Sequence, residues 1–165
     1  MTSIYEKAHK IVSEKNVSWD VAVWDAFDRN QNLIYQKNTR LNKRVESIIT
    51  KENAVFYTLT LNEKSLNNIS LEHLEREAKK WARKYLDRYL GNLDYGDEVE
   101  HTGRPHFHIV GNYKIKPEHV SWPYGAINFK RVYNENFKRI KNYILKLSLH
   151  ATKKTACKIF KSQKI

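Results

Sequence analysis

Gly103-Arg104-Pro105-His106-Phe107-His108-Ile109-Val110 sets two histidines two residues apart in a run of strand-forming residues. Side chains at i and i+2 of a strand share a face. The spacing therefore predicts a strand that projects His106 and His108 together and turns Phe107 and Ile109 toward a core. Two imidazoles side by side make a bidentate metal site. Just upstream, Glu98-Val99-Glu100 alternates in the same way, with both carboxylates on one face. Thr102-Gly103-Arg104 lies between the two segments and reads as a hairpin turn. Closing that hairpin brings a carboxylate beside the two histidines.

Outward from this hairpin the chain keeps a regular pattern. Residues 54–61 alternate as a strand, with Val55, Tyr57, Leu59 and Leu61 on one face and Phe56, Thr58 and Thr60 on the other. Ser70 is placed to cap a helix running through about Tyr89. Leu71, Leu74, Ala78, Trp81, Ala82, Tyr85 and Tyr89 form its apolar stripe, and Arg76, Lys79, Lys80, Arg83 and Lys84 its solvated remainder. Strands are expected near 95–101, 106–114 and 125–132, with a loop around Lys116-Pro117-Glu118. Asn134 opens the last helix. This order predicts an α+β fold, an antiparallel sheet of about five strands with flanking helices, four of the strands being located.

Residues 1–50 read as a helical extension. Ser18 is its N-cap, Trp19, Val23, Ala26 and Phe27 follow at helical spacing, and Leu33, Ile34, Leu41 and Val45 continue the pattern less regularly. Its simplest role is packing; oligomerisation and DNA contact are the alternatives. Residues 51–150 form the core, and the tail 151–165 carries five lysines and no acidic residue. At 165 residues the whole is expected to be one domain.

The net charge of +12 and a pI near 9.7 point to an anionic partner, with nucleic acid the first candidate. Ten tyrosines and four tryptophans among the basic residues suit a surface that stacks bases and tracks phosphates, although aromatics also fill cores. Cys157 is the single cysteine, which excludes an internal disulfide and fits a reducing compartment. No apolar run has the length of a membrane span, and the N-terminus lacks a signal-peptide core. A soluble, cytoplasmic protein is expected.

The motifs together resemble the histidine-hydrophobic-histidine (HUH) endonucleases, in their rolling-circle replication-initiator branch. Phe56-Tyr57-Thr58-Leu59-Thr60-Leu61 is similar to the family's first motif. His106-Phe107-His108 matches the second, and Tyr143-Ile144-Leu145-Lys146 matches the third, Tyr-x-x-Lys. Trp122-Pro123-Tyr124-Gly125 with Ile127 and Phe129 resembles the strand that precedes the tyrosine helix. The likeness spans roughly residues 54–149, and the extension before it departs from compact initiators. It implies a five-stranded palm, Mg2+ or Mn2+ as cofactor, and Glu98, eight residues before His106, as the acidic ligand. Glu100 shares the face of Glu98 and is the second choice. Tyr143 is implied as the nucleophile and Lys146 as its helper. Thr58, Thr60, Arg104 and Lys146 are the candidate nucleic-acid contacts, each also explicable as an ordinary strand, turn or surface residue.

The chemistry agrees with the residue types. A divalent cation held by His106, His108 and a carboxylate polarises a phosphate. A free tyrosine hydroxyl, with a pKa of about 10, needs such help to attack near neutrality. Tyr143 and Lys146 share a helix face at i, i+3. The implied reaction is transesterification at an origin of single-stranded DNA, of a plasmid or virus, leaving a 5′-phosphotyrosine and a free 3′ hydroxyl; reverse attack rejoins strands. Positions 139 and 147, one turn either side of Tyr143, are Arg and Leu, so the single-tyrosine version fits. Closing a circle then calls for a second subunit, as in a homodimer, or a second round of cutting. The sequence holds no phosphate loop, so a separate helicase and polymerase are expected partners. The rivals are a transposase or relaxase of the same superfamily, a non-catalytic basic nucleic-acid-binding protein with a structural metal site, and a metal-dependent hydrolase that forms no adduct.

Overall fold

The computed structural model describes residues 3–94, 105–150 and 160–162, residues 145–150 and 160 as backbone only. The chain forms two compact units, Met1–Leu41 and Asn42–Ile165. The first contains α1 (Ile4–Lys15) and most of α2 (Trp19–Ile49), which runs on into the second. Ser3 and Glu6 close a capping box at the start of α1, and Asn16 ends it in the left-handed conformation (φ 53°) that short polar side chains tolerate. The Ser18 carbonyl accepts the first hydrogen bond of α2, from the Ala22 N–H. Ala8 and Ile11 pack against Ala22 and Ala26, small residues that let two helices approach closely. This corrects the expected stripe. Trp19, Phe27, Leu33 and Ile34 remain 39–59 % exposed, because the alanine face of α2 is the one that meets α1.

The second unit is an α+β layer. Four antiparallel strands, β1 (Ala54–Leu61), β2 (Leu86–Asp94), β3 (His106–Tyr113) and β4 (Gly125–Arg131), lie in the order β4-β1-β3-β2. A two-residue segment, β5 (Phe160–Lys161), pairs with the free edge of β2. Helices α3 (Glu63–Asn68), α4 (Leu71–Tyr85) and α5 (Asn134–His150) complete it. The alternation of β1 is as its sequence predicts: Val55, Tyr57, Leu59 and Leu61 are buried, and Phe56, Thr58 and Thr60 half-buried. The buried set joins Phe107 and Ile109 of β3 and Leu74, Ala78, Trp81 and Ala82 of α4 in the main core. Each large side chain buried there contributes about 1.5–3 kcal/mol. Ser70 caps α4 as expected, accepting from the His73 N–H.

The end of α4 differs from the expectation. The helix stops at Tyr85, and Leu86 enters β2 directly. Tyr89, placed by its spacing on the helix stripe, is a strand residue of the same core. The cause is a bulge: Leu86 pairs with Tyr113 but Tyr89 with Gly111, so one extra residue is accommodated at Asp87–Arg88. A bulge puts residues three apart on one face, which is also helical spacing. Gly111 sits opposite it, where an added Cβ would stand 2.7 Å from the Arg88 carbonyl oxygen. The segments 95–101 and 102–104, read as strand and turn, lie outside the described residues, as does 151–159 of the tail.

The α2 end is tied to the sheet by the Asn112 side-chain amide donating to the Ile48 carbonyl (2.9 Å), to α5 by the Glu46–Lys141 ion pair, and to the segment after β5 by Arg44 donating to the Ser162 carbonyl. No helix among the described residues is long and apolar enough to cross a membrane.

Candidate metal centre

The sheet face opposite α4 carries the polar cluster. In β3 it presents His106 and His108; Thr60 and Thr58 of β1 pair with them on one side, Asp94 and Asn92 of β2 on the other. The bulge decides this. It resets the parity of β2, so that Tyr89 and Leu93 enter the core while Asp94 points to the histidines. Asp94, His106 and His108 offer ligand atoms that all lie within 4.8 Å of one another. An Asp94 oxygen is 3.5 Å from Nε2 of His108 and 3.8 Å from Nε2 of His106. Ligands sharing one ion at about 2.1 Å stand about 3.0–4.2 Å apart, and both Asp94–histidine separations fall in that range, so the three residues could hold a small divalent cation. Two imidazoles and one carboxylate leave coordination positions open for phosphate oxygens and water.

The supporting residues orient His108. Its Nδ1 is 3.3 Å from the Thr58 hydroxyl, and its ring lies nearly parallel to Phe56, with centroids 5.5 Å apart. A proton on Nδ1, donated to Thr58, leaves the Nε2 lone pair facing Asp94. Metal-binding histidines are commonly fixed in this way. Tyr143 of α5 completes the group: its hydroxyl lies 3.0 Å from the same Nε2, and its ring meets Phe56 and His108 edge-on. Asp94 and Tyr143 thus crowd one nitrogen. With Nδ1 protonated toward Thr58, Nε2 accepts from the Tyr143 hydroxyl at the shorter contact, and the Asp94 oxygen stands at a separation that two ligands of one ion would have. Tyr143 stays 39 % exposed.

Burial is the main electrostatic influence. It pushes the His108 pKa below the ordinary histidine value; the Asp94 carboxylate opposes this and His106 reinforces it. His108 is therefore neutral at pH 7 and free to ligate. In the unfolded chain a histidine titrates near about 6.5, so that state binds the proton first as pH falls. The contribution of His108 to stability is present above that value and is lost as pH drops through the lower folded value. Acidification from pH 7 to 5 is expected to lower the melting temperature, and His108→Asn to remove part of that dependence at constant salt. Burial, then the Asp94 charge, raises the Tyr143 pKa above its usual value. The phenol is protonated at rest.

Of the residues singled out in the sequence, the fold gathers His106, His108, Thr58 and Tyr143, and sets Thr60 opposite His106 on the same face. Glu98, Glu100 and Arg104 lie outside the described residues. Lys146 falls one turn beyond Tyr143 on α5, its side chain outside the description. The sequence reading missed Asp94, and it set Phe56 on the face of Thr58 and Thr60 without assigning it to the site. The clue to Asp94 was the alternation Leu90, Asn92, Asp94 against Gly91 and Leu93, obscured by the continuing helical spacing. Comparisons with protein-family profiles, with curated proteins and with solved structures find no significant match to this chain.

Proposed function

We propose that this chain nicks single-stranded DNA by a metal-dependent transesterification with Tyr143 as nucleophile, as a replication initiator of the HUH kind. The observation that carries the reading is the Tyr143 hydroxyl 3.0 Å from a histidine nitrogen that also faces Asp94 and lies beside His106. A tyrosine hydroxyl held beside the candidate ligands is suited to nucleophilic attack on a phosphate, which a purely structural metal site does not call for. The order of the three motifs supports the same reading, and so does the charge of +12. In this reading the sheet is the five-stranded HUH palm.

His106, His108 and Asp94 would hold Mg2+ or Mn2+, which when bound supplies Lewis-acid neutralisation of a phosphate oxygen. Thr58 keeps His108 in the ligating tautomer. With Nε2 engaged by the cation, the Tyr143 hydroxyl would be released from that nitrogen and free to attack a phosphate held at the site. The Tyr143 Oη–phosphorus bond forms as the phosphorus–O3′ bond breaks; the phenol proton passes to water and the departing oxygen takes one up. Lys146, the last residue of the Tyr-x-x-Lys motif, would in this reading steady the phenolate or a phosphate oxygen as a point charge. Thr58 and Thr60, with the exposed Asn128 and Lys130 of neighbouring β4, form the floor along which the strand would run.

The test is a denaturing gel with purified protein, tiled single-stranded oligonucleotides and Mn2+ or chelator. A metal-dependent, slow-migrating protein–DNA band supports the proposal. Cleavage without such a band points to hydrolysis, and binding without cleavage to the non-catalytic reading. Thr58→Val removes the acceptor while keeping the shape. It is expected to weaken Mn2+ binding, measured by calorimetry, about tenfold or more, with Thr58→Ser near wild type.

A further inference from the structure

On the far side of the sheet, α4 and the segment Ser121–Tyr124 enclose a cleft of about 310 Å3. We propose that it is a second nucleic-acid subsite, taking one unstacked nucleobase together with its adjoining phosphate. Its residues are separate from the metal centre: Trp81 packs edge-on against Tyr57, which lies on the core face of β1, and Thr58 on the other. The inference draws on the proposed function only for the DNA strand itself.

The walls have the chemistry of a base platform. Trp81 and Trp122 form the buried part, and Tyr85 and Tyr124 are half-buried, with ring area left open. Flat aromatic surfaces of this kind stack any base, whatever its sequence. The size is at the lower end for small-ligand clefts, which suits one base and sugar. One polar group is unsatisfied. The Trp81 indole N–H donates to the Ser121 carbonyl at 2.8 Å, whereas the Trp122 indole N–H is buried with no acceptor. That nitrogen is closed off from the cleft, so it belongs to the packed floor and not to the binding surface.

The rim has the charge a phosphate needs. Lys80 and Lys84 stand one helical turn apart, both exposed. Lys80 pairs with Glu77 at 2.7 Å, and Glu77 also lines the cleft and accepts from the Tyr124 hydroxyl, so a phosphate would have to take Lys80 from that carboxylate. The Lys84 ammonium lies 4.9 Å from the centre of the Tyr85 ring, so cation and platform are already adjacent. Aromatic clefts also take proline-rich peptides, but those give the two lysines nothing to neutralise.

The experiment uses the full chain carrying Tyr143→Phe, in chelator, so that neither cleavage nor metal contributes. Fluorescence anisotropy follows labelled single-stranded oligonucleotides, and tryptophan quenching follows dTMP and dGMP. Tyr124→Ala is expected to weaken oligonucleotide binding at least fivefold. Lys84→Ala should weaken it and lower the salt slope by about one. Saturable quenching by dTMP or dGMP, lost in Tyr124→Ala, means that the free nucleotide suffices. Quenching by oligonucleotides alone means that the base must arrive within a strand. Wild-type affinity in Tyr124→Ala and Lys84→Ala, with unchanged circular dichroism, would overturn the proposal. So would capture of a polyproline peptide with no effect of these variants on DNA. A wild-type protein that binds through the cleft yet never forms an adduct would leave this subsite standing and remove the nicking function.

Discussion

Tyr143→Phe is expected to abolish the covalent protein–DNA product while leaving the fold and strand binding intact. The substitution deletes one oxygen. The ring keeps its edge-on contacts with Phe56 (5.9 Å) and His108 (5.2 Å), so little packing is lost. Loss of the nucleophile should lower cleavage by about three orders of magnitude or more, since the other groups cannot replace it. Binding by anisotropy should change less than about twofold. The His108 Nε2 loses a hydrogen-bond donor, and Mn2+, which competes with that donor, should bind as well as in the wild type or better. The raised pKa of Tyr143 adds a condition. Burial and the Asp94 charge both disfavour the phenolate, so chelator should stop the wild-type reaction as fully as the substitution does.

Asp94→Asn carries the second large effect. The amide keeps the shape of the carboxylate but not its charge, and two neutral imidazoles hold a hard divalent cation poorly. Changes in groups that merely support a ligand already cost about 10–100-fold in metal affinity. Loss of a ligand charge should therefore raise the Mn2+ Kd at least a hundredfold in calorimetry. Wild-type protein at about a hundred times its Kd gains about 2.7 kcal/mol of stability from binding, and this metal-induced rise in melting temperature should vanish in the variant. Glu98→Gln is the informative partner. If Asp94 is the carboxylate ligand, Glu98→Gln stays within about threefold of wild type; a larger loss in Glu98→Gln than in Asp94→Asn would return the role to Glu98.

These two residues also mark where the sequence was and was not readable. His106, His108, Thr58 and the faces of β1 follow from two-residue periodicity, and that periodicity survives folding because each strand has one face against α4. The start of α4 follows from the Ser70 cap. Its end does not. No glycine or proline marks Tyr85, and Tyr85, Leu86 and Tyr89 keep helical spacing while belonging to helix, strand entry and bulged strand in turn. Tertiary pairing with β3 overrides the local pattern. Asp94 was hidden by the same bulge, because its face depends on an inserted residue that no composition rule reveals. The exposed Trp19, Phe27, Leu33 and Ile34 of α2 show the opposite failure. There only part of the expected apolar stripe packs: Ala26 and Val45 are buried as expected, while these four larger side chains stay at the surface.

The most direct test of the account is peptide mapping of wild-type protein after incubation with single-stranded DNA and Mn2+, followed by nuclease and trypsin. The account predicts a 5′-phosphonucleotide on the peptide Asn142–Lys146, absent with chelator and absent in Asp94→Asn. Attachment at another of the ten tyrosines, or cleaved DNA with no modified peptide, would contradict it.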